Sequence, residues 1–549
     1  MKTSITLLGA LALLTGIAAA QPTIDAGGVV NAASYAPAGL PNASIAQGSI
    51  ALVFGKNLGP TNLVQAGFPL PTTLSGTSVQ ITVGGTTVRG LMIYTLAGQL
   101  ALVVPSSTPT GTGTLTVTYN NQTSAAAPIT VVRSSFGIFT LNQAGSGPAV
   151  VTDANYAPNI LTAAAQPGQV WVLWGTGIGP VTFDESRGAP VEDMRTSDAQ
   201  VFVGNKSARI LFRGRAPGFS GLDQMNFEVP AGVEGCYVPL AVRVGGVVSN
   251  FASMSVSSSG PVCSDPLGVS PSDIQKAQAG GLKVGYIDLN HTAFSMSVMG
   301  MSLTVKQETG SADFSRFDFR TLITSQGVAG VPSFGNCLVF PFLGSTPSMN
   351  DPVRPEGLEA GNISVTNPSG TTKQFTRQSK GSYSVELSSG SPLSPGPDYV
   401  VAGNYTLTGT GGSEVGAFTA RLTVPQPLAW TNQSGINNIA RSQDLRVTWS
   451  GGDPQGVVEI VGFSMRTSPE VGAGFMCTER ASANGFTVPS LVLSALPASD
   501  QPSLSTPYGT GMLLVGSAPN PESSKFQAPG LDLGYFIYTF LNGKMVNYQ

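Results

Sequence analysis

Gly168-Gln-Val-Trp-Val-Leu-Trp-Gly-Thr-Gly-Ile-Gly-Pro180 repeats, 120 residues on, the pattern of Gly48-Ser-Ile-Ala-Leu-Val-Phe-Gly-Lys-Asn-Leu-Gly-Pro60. The register then holds. Val201-Phe-Val-Gly-Asn205 answers Ile81-Thr-Val-Gly-Gly85, and Gln224-Met-Asn-Phe-Glu-Val-Pro230 answers Gln99-Leu-Ala-Leu-Val-Val-Pro105. The offset is 120 at the first of these and 125 at the second, and Arg215-Ala-Pro-Gly-Phe-Ser-Gly221 reads as the insertion. A near-constant offset over a whole module is the mark of an internal repeat, so these segments set the domain plan.

Inside the first copy, Val79-Gln-Ile-Thr-Val83 and Leu115-Thr-Val-Thr-Tyr119 alternate apolar and polar residues, as strands with one buried face do. Gly84-Gly85 and Asn120-Asn121 sit between such runs and supply the positive φ that tight hairpins need. About seven short strands in roughly 110 residues predict an immunoglobulin-like sandwich. In the second copy, Trp171 and Leu173 share one face of the strand and Val172 and Trp174 the other. One Trp therefore enters the core, and the other is left to pack on neighbours or to lie exposed.

The run Val30-Asn-Ala-Ala-Ser-Tyr-Ala-Pro37, Phe54-Gly-Lys-Asn-Leu-Gly-Pro60, Pro69-Leu-Pro-Thr-Thr-Leu74, Ala216-Pro-Gly-Phe-Ser-Gly-Leu222, Asn226-Phe-Glu-Val-Pro-Ala231 and Val247-Val-Ser-Asn250 together resemble a family of uncharacterised secreted acidobacterial proteins. The resemblance covers roughly residues 24–256. It implies a bacterial, exported tandem of immunoglobulin-like folds of the kind shared by plexins and transcription factors (IPT/TIG-like), and it carries no catalytic residues.

Composition agrees with an all-β chain of several immunoglobulin-like β-sandwich modules in series with very little helix. Charged residues make up only 10% while glycines number 68 and prolines 40, which suits turn-rich β structure. Apolar residues at 41% argue against disorder, and a formal charge of −3 supplies no basic stripe for nucleic acid. Lys2, the apolar run Ile5 to Ile17 and Ala18-Ala-Ala20 predict a signal peptide over residues 1–20, with the mature chain starting at Gln21. No later run reaches the ~18 apolar residues of a membrane span. The expected plan is module 1 over 21–132, module 2 over 133–256, a linker over 257–281, a third sandwich over 282–424 and a β-rich module over 425–549. Within it, short helices are expected at Ser272–Lys276 and Ser490–Leu496. Leu445–Trp449 and Val457–Val461 read as a hairpin pair, and Leu531–Phe540 as a terminal strand.

In an exported chain the four cysteines are expected to pair. Three connectivities are open. Cys236 and Cys263 flank one predicted hairpin and its exit and are assigned to each other, leaving Cys337 for Cys477 and a bridge between the two C-terminal modules.

Catalytic signatures are missing from the sequence. His291 is the only histidine, so a triad or multi-histidine site has one place to form, and a hydrogen-bonded or surface histidine at a loop or strand edge is the expectation. Gly175-Thr-Gly-Ile-Gly179 ends in Pro180 rather than opening a helix, so it reads as a turn and not a dinucleotide loop. Asp184-Glu-Ser-Arg187 with Glu192-Asp193 gathers acids without the spacing of a calcium loop. Asp313 and Asp318 are formally available as a glycosidase pair, and Phe314, Phe317 and Phe319 beside them read as core. No catalytic, metal or cofactor residue is assigned. The reading is a non-catalytic binding, adhesive or structural protein at the cell exterior, meeting an extracellular polymer or surface protein. The alternative is a carbohydrate-binding protein or glycoside hydrolase with its acids in 282–549.

Overall fold

The computed structural model describes residues 21–549 apart from 193, 196, 266, 268, 299–300, 325–330, 345–353, 392–393 and 502–508. Residues 1–20, expected to be a signal peptide, and Asp193 lie outside the described residues. The chain is all-β and multi-domain, and among the described residues no helix is long and apolar enough to cross a membrane.

Module 1 is a sandwich of two antiparallel sheets. One carries Thr23–Asn31, Ile50–Lys56, Gln99–Val103 and Leu91–Leu96, and the other Ala127–Val132, Gly111–Tyr119 and Thr77–Val83. The short strand Ile45–Ala46 pairs in parallel with Ala127–Val132. The chain thus enters along one sheet and crosses to the other, as immunoglobulin-like sandwiches do. Inward-facing Ala51, Val53, Val79, Ile81, Leu100, Leu102, Leu115 and Val117 meet in the core. Gly84, Gly85, Asn120 and Asn121 all have positive φ, as the two hairpins demand.

Module 2 repeats this plan. Val170–Thr176 takes the place of Ile50–Lys56, Gln200–Val203 that of Thr77–Val83, and Asp223–Glu228 that of Gln99–Val103. Even the irregularities recur. The ladder slips between Met92 and Tyr94 in the first copy and between Ile210 and Phe212 in the second. The next connection is residues 97–98 in module 1 and 216–222 in module 2, five residues longer, and the longer hairpin ends on a rung that places Arg215 opposite Asp223.

Residues 257–281 do more than link. Ser270 caps Pro271–Gly280 in a reciprocal capping box with Asp273, and Pro271 occupies the first turn where its missing N–H costs nothing. Ile274 and Ala277 of this helix pack with Leu161, Tyr237 and Leu322, and the Cys236–Cys263 disulfide lies in the same cluster. A bridge closing a 27-residue loop contributes ~3 kcal/mol in the chain-entropy view.

Beyond residue 281 one 11-stranded sheet dominates. Leu282–Val298 pairs antiparallel with Met301–Phe317 on one side and in parallel with Leu533–Met545 on the other. The expected terminal strand is therefore interior, and strands from both sides of residue 424 share the sheet. Residues opposite each other across a ladder share a face. Ile287, Phe536, Ser517 and Val458 fall on one face by this rule. Two small sheets cover that face. Ile363–Thr366, Gly403–Gly409 and Phe418–Val424 meet Ile287, Leu289, Phe536 and Phe540. Leu445–Ser450 and Gly485–Val488 bring Val447, Trp449 and Phe486 onto Val458, Ile460 and Val515.

The hairpin expected from Leu445 to Val461 does not form. Its first arm pairs with Ala429–Trp430 and Gly485–Val488, while Val457–Thr467 pairs with Glu470–Arg480 and Gly511–Ala518 in the large sheet. The second arm is buried on both faces and needs two strand neighbours, which a solvent-side hairpin cannot give. Cys337 is bonded to Cys477, and the two are directly opposed on adjacent strands, so the bridge staples one sheet internally. Of the expected helices, the second is a single turn, Ser490–Leu493.

Because Leu533–Met545 takes Leu282–Val298 as a full-length neighbour, residues 425–549 expressed alone are expected to show no cooperative urea transition by circular dichroism. A sharp transition in that fragment would contradict the shared sheet.

Candidate functional site

An open groove of about 680 Å³ lies where modules 1 and 2 meet, within the ~300–1,000 Å³ range of ligand sites. Its floor is the outer face of a module 1 sheet, with Ile50, Leu52 and Ala101. The strand Ile50–Lys56 is apolar on both faces for this reason: Ala51 and Val53 enter the sandwich core while Leu52 and Phe54 belong to the cluster beneath the groove. The ladder slip after Met92 acts here as well. A bulge turns successive side chains to one side, and Ile93 and Tyr94 both line the groove. Phe139, Tyr156, Trp174 and Phe219 come from module 2.

A second repeat, finer than the strand pattern, shapes the walls. Tyr35-Ala-Pro37 and Tyr156-Ala-Pro158 recur 121 residues apart. Each follows a turn closed by an acidic or amide side chain. Asn31 Oδ1 accepts from the N–H groups of Ala33 and Ser34, and Asp153 Oδ1 from those of Asn155 and Ala157. The Tyr N–H then returns to the carbonyl of Asn31 or Asp153. This carries Tyr35 to φ 50° and Tyr156 to φ 65°, the left-handed region that bulky residues rarely enter. Gln143, at φ 55°, is a third such residue on the same groove. Each tyrosine meets a ring on the matching strand: Tyr35 and Phe54 have centroids 6.4 Å apart, and Tyr156 and Trp174 6.1 Å apart, stacked at 27°. In module 1 the pair is buried. In module 2 Tyr156 is 74% exposed and Trp174 half-buried, with its Nε1–H donated to Thr152. Trp171 enters the core.

The groove keeps its shape through a buried joint. Arg215 pairs with Asp223, and its Nη2 donates to Gly48 O of module 1 (2.8 Å) and Gly179 O of module 2 (2.7 Å). A Cβ at Gly48 would collide with the guanidinium. Asp223 also accepts from Ile178 N, and Thr176 Oγ1 accepts from Ile50 N while donating to Gly221 O. The turn read from Gly175 to Gly179 is thus part of this joint, with Gly177 at φ 110°. Glu185, in the acidic loop that lacks calcium-loop spacing, turns into module 1 and accepts from Ser106 N and Oγ at 2.7 and 2.8 Å.

The other sequence candidates go elsewhere. Asp313 is exposed, and Asp318 accepts from Thr321 N to begin Phe319–Thr324, which holds its carboxyl below the usual range. Phe314 is core, as read, and Phe317 and Phe319 are partly buried. His291 sits inside the large sheet, not at an edge, and meets Glu308 at 2.8 Å. Glu308 also accepts from Tyr399 N and Val400 N, and the adjacent Asp398 is held by Lys306, so these carboxylates are engaged by protein donors. Two carboxyls missed in the sequence, Asp288 and Glu459, stand on the face of the large sheet opposite the two small sheets, where Leu267, Val331 and Pro521 lie over it. Burial pushes each up to about 7, against a hydrogen bond from Thr539 in the case of Asp288. Glu459 borders a cavity of about 50 Å³ with Tyr286 and Tyr535.

No known protein family and no curated protein matches the chain. Solved structures similar to it include the I9–I11 tandem of titin (9% identity, 69% of this chain and 94% of that one, TM-score 0.12). Others are a surface glycan-binding protein, SGBP-B of the Bacteroides ovatus mixed-linkage glucan locus, bound to a heptasaccharide (11%, 78% and 80%, 0.14), and domains 5–6 of the S-layer protein SbsC (14%, 43% and 99%, 0.17). At such identities and scores these likenesses carry no argument about function.

Carboxyls raised in the folded state favour folding at low pH. Below about 4 both states keep the protons, and from there to about 7 the unfolded chain releases protons that the folded chain holds, so stability falls as pH rises and levels above 7. The slope is at most about 1.4 kcal/mol per pH unit for each group. Glu459→Gln is expected to flatten the decline of the urea midpoint between pH 5 and 8 relative to wild type. An unchanged slope would contradict it.

Proposed function

We propose that the chain is an exported bacterial binding protein that acts through the groove between its first two immunoglobulin-like modules rather than by catalysis. One observation carries this reading: residues 35, 143 and 156, none of them glycine, are held at positive φ, and all three line one groove. Backbone strain of order 1–3 kcal/mol per residue persists where the surroundings impose it and gathers at ligand sites. Here it recurs at the same place in both copies of a repeat. The apolar leader, the two disulfides and the resemblance of residues 24–256 to secreted acidobacterial proteins support export. The modules beyond residue 256 then serve as the body that carries the groove, with an extracellular polymer or surface protein as partner.

The second reading, an extracellular hydrolase, is favoured only by Asp288 and Glu459. Retention of residues 21–549 on arrays of envelope polymers, surface proteins and glycans tests both. Trp174→Ala is expected to reduce retention roughly tenfold or more, the loss of one well-placed aromatic contact, with no bond cleavage. Retention indifferent to Trp174 would remove the groove from the function, and turnover abolished by Glu459→Gln would move it to the large sheet.

A further inference from the structure

The groove constrains its occupant in three ways. Among the described residues no charged side chain lines it, and a buried charge without a partner is costly, so the occupant is neutral. Tyr35 is nine-tenths buried, yet its hydroxyl makes no hydrogen bond to any described residue, and the same is true of Tyr94. The two phenols are near enough that Tyr35 adds to the upward push which burial gives Tyr94, so both remain protonated and can donate as well as accept. The occupant therefore carries hydrogen-bonding groups, and hydroxyls, which also both donate and accept, match the two phenols. Finally, the Tyr156 and Trp174 rings present flat faces, and the indole N–H is already used by Thr152. Those faces suit a patch of polarised C–H bonds.

Resting on the binding role proposed above, we infer that the groove holds a segment of a neutral polysaccharide, with a pyranose ring on the Tyr156/Trp174 stack and its hydroxyls bonded to Tyr35 and Tyr94. A pyranose ring combines a C–H face with a rim of hydroxyls and has no charge. An aliphatic chain would shut the hydroxyls of Tyr35 and the half-buried Tyr94 away from water with no partner, which carries a desolvation penalty. An extended peptide would need a free strand edge for its amides, and Ile50–Lys56 has none because Thr23–Asn31 and Gln99–Val103 pair with it on both sides.

Calorimetric titration of residues 21–549 with hydroxyethyl cellulose, laminarin, galactomannan and dextran tests this, with alginate and pectate as charged controls and a long-chain fatty acid as the apolar control. At least one neutral polysaccharide is expected to bind while alginate and pectate do not. Tyr156→Ala, at a position 74% exposed, should weaken binding roughly tenfold. Tyr35→Phe keeps the ring and removes only the hydroxyl, and should weaken it roughly three- to tenfold. Neutral-glycan binding that is indifferent to both substitutions would overturn the inference. Binding of the fatty acid alone, lost in Trp174→Ala, would overturn the sugar while leaving the groove as a binding site. Binding of none of these ligands would overturn both.

Discussion

The groove depends on one buried guanidinium. Arg215 is 2% exposed and its partner Asp223 fully buried, and they occupy the last rung of a hairpin that is longer in module 2 than in module 1. From there Arg215 reaches back to a carbonyl of module 1, so the element that distinguishes the second copy is also the one that joins it to the first. A buried ion pair is a poor source of net stability, because desolvating two charges consumes most of the attraction. What it supplies is specificity. Removing one partner leaves the other charge stranded, typically at a cost of 3–5 kcal/mol, so any other placement of the modules is disfavoured.

Local sequence made the sandwiches visible and the site only partly so. The strand repeat gave two modules and their register, and Gly84, Gly85, Asn120 and Asn121 marked the hairpins, because positive φ and period-two burial are local demands. Tyr35-Ala-Pro37 stood among the family motifs without its counterpart at Tyr156, and matching the two 121 residues apart would have pointed to the groove. Arg215 could not have been singled out. Its role comes from Gly48 and Gly179, far apart in sequence and brought together only by folding.

The C-terminal half shows the same limit. The parallel pairing of Leu282–Val298 with Leu533–Met545 joins segments about 250 residues apart, and no local pattern announces such a partner. The chain from Leu445 to Val461 has the look of a hairpin because its turn residues are good ones, with Gly451 and Gly452 both at φ 76°. A turn forms further on, where Gly456 N bonds Asp453 O, and tertiary burial sends the two arms to different sheets. His291 likewise reads as an edge residue from its polar neighbours and is interior because strands flank it on both sides.

Hydrogen–deuterium exchange of residues 21–549, wild type against Arg215→Ala, measures the joint directly. If the guanidinium holds the groove together, exchange rises in residues 48–54, 31–37 and 153–158 of the variant, while the core strands Thr77–Val83 and Gln200–Val203 keep their protection. Unchanged exchange along the groove, or a uniform rise through both sandwich cores, would contradict the account.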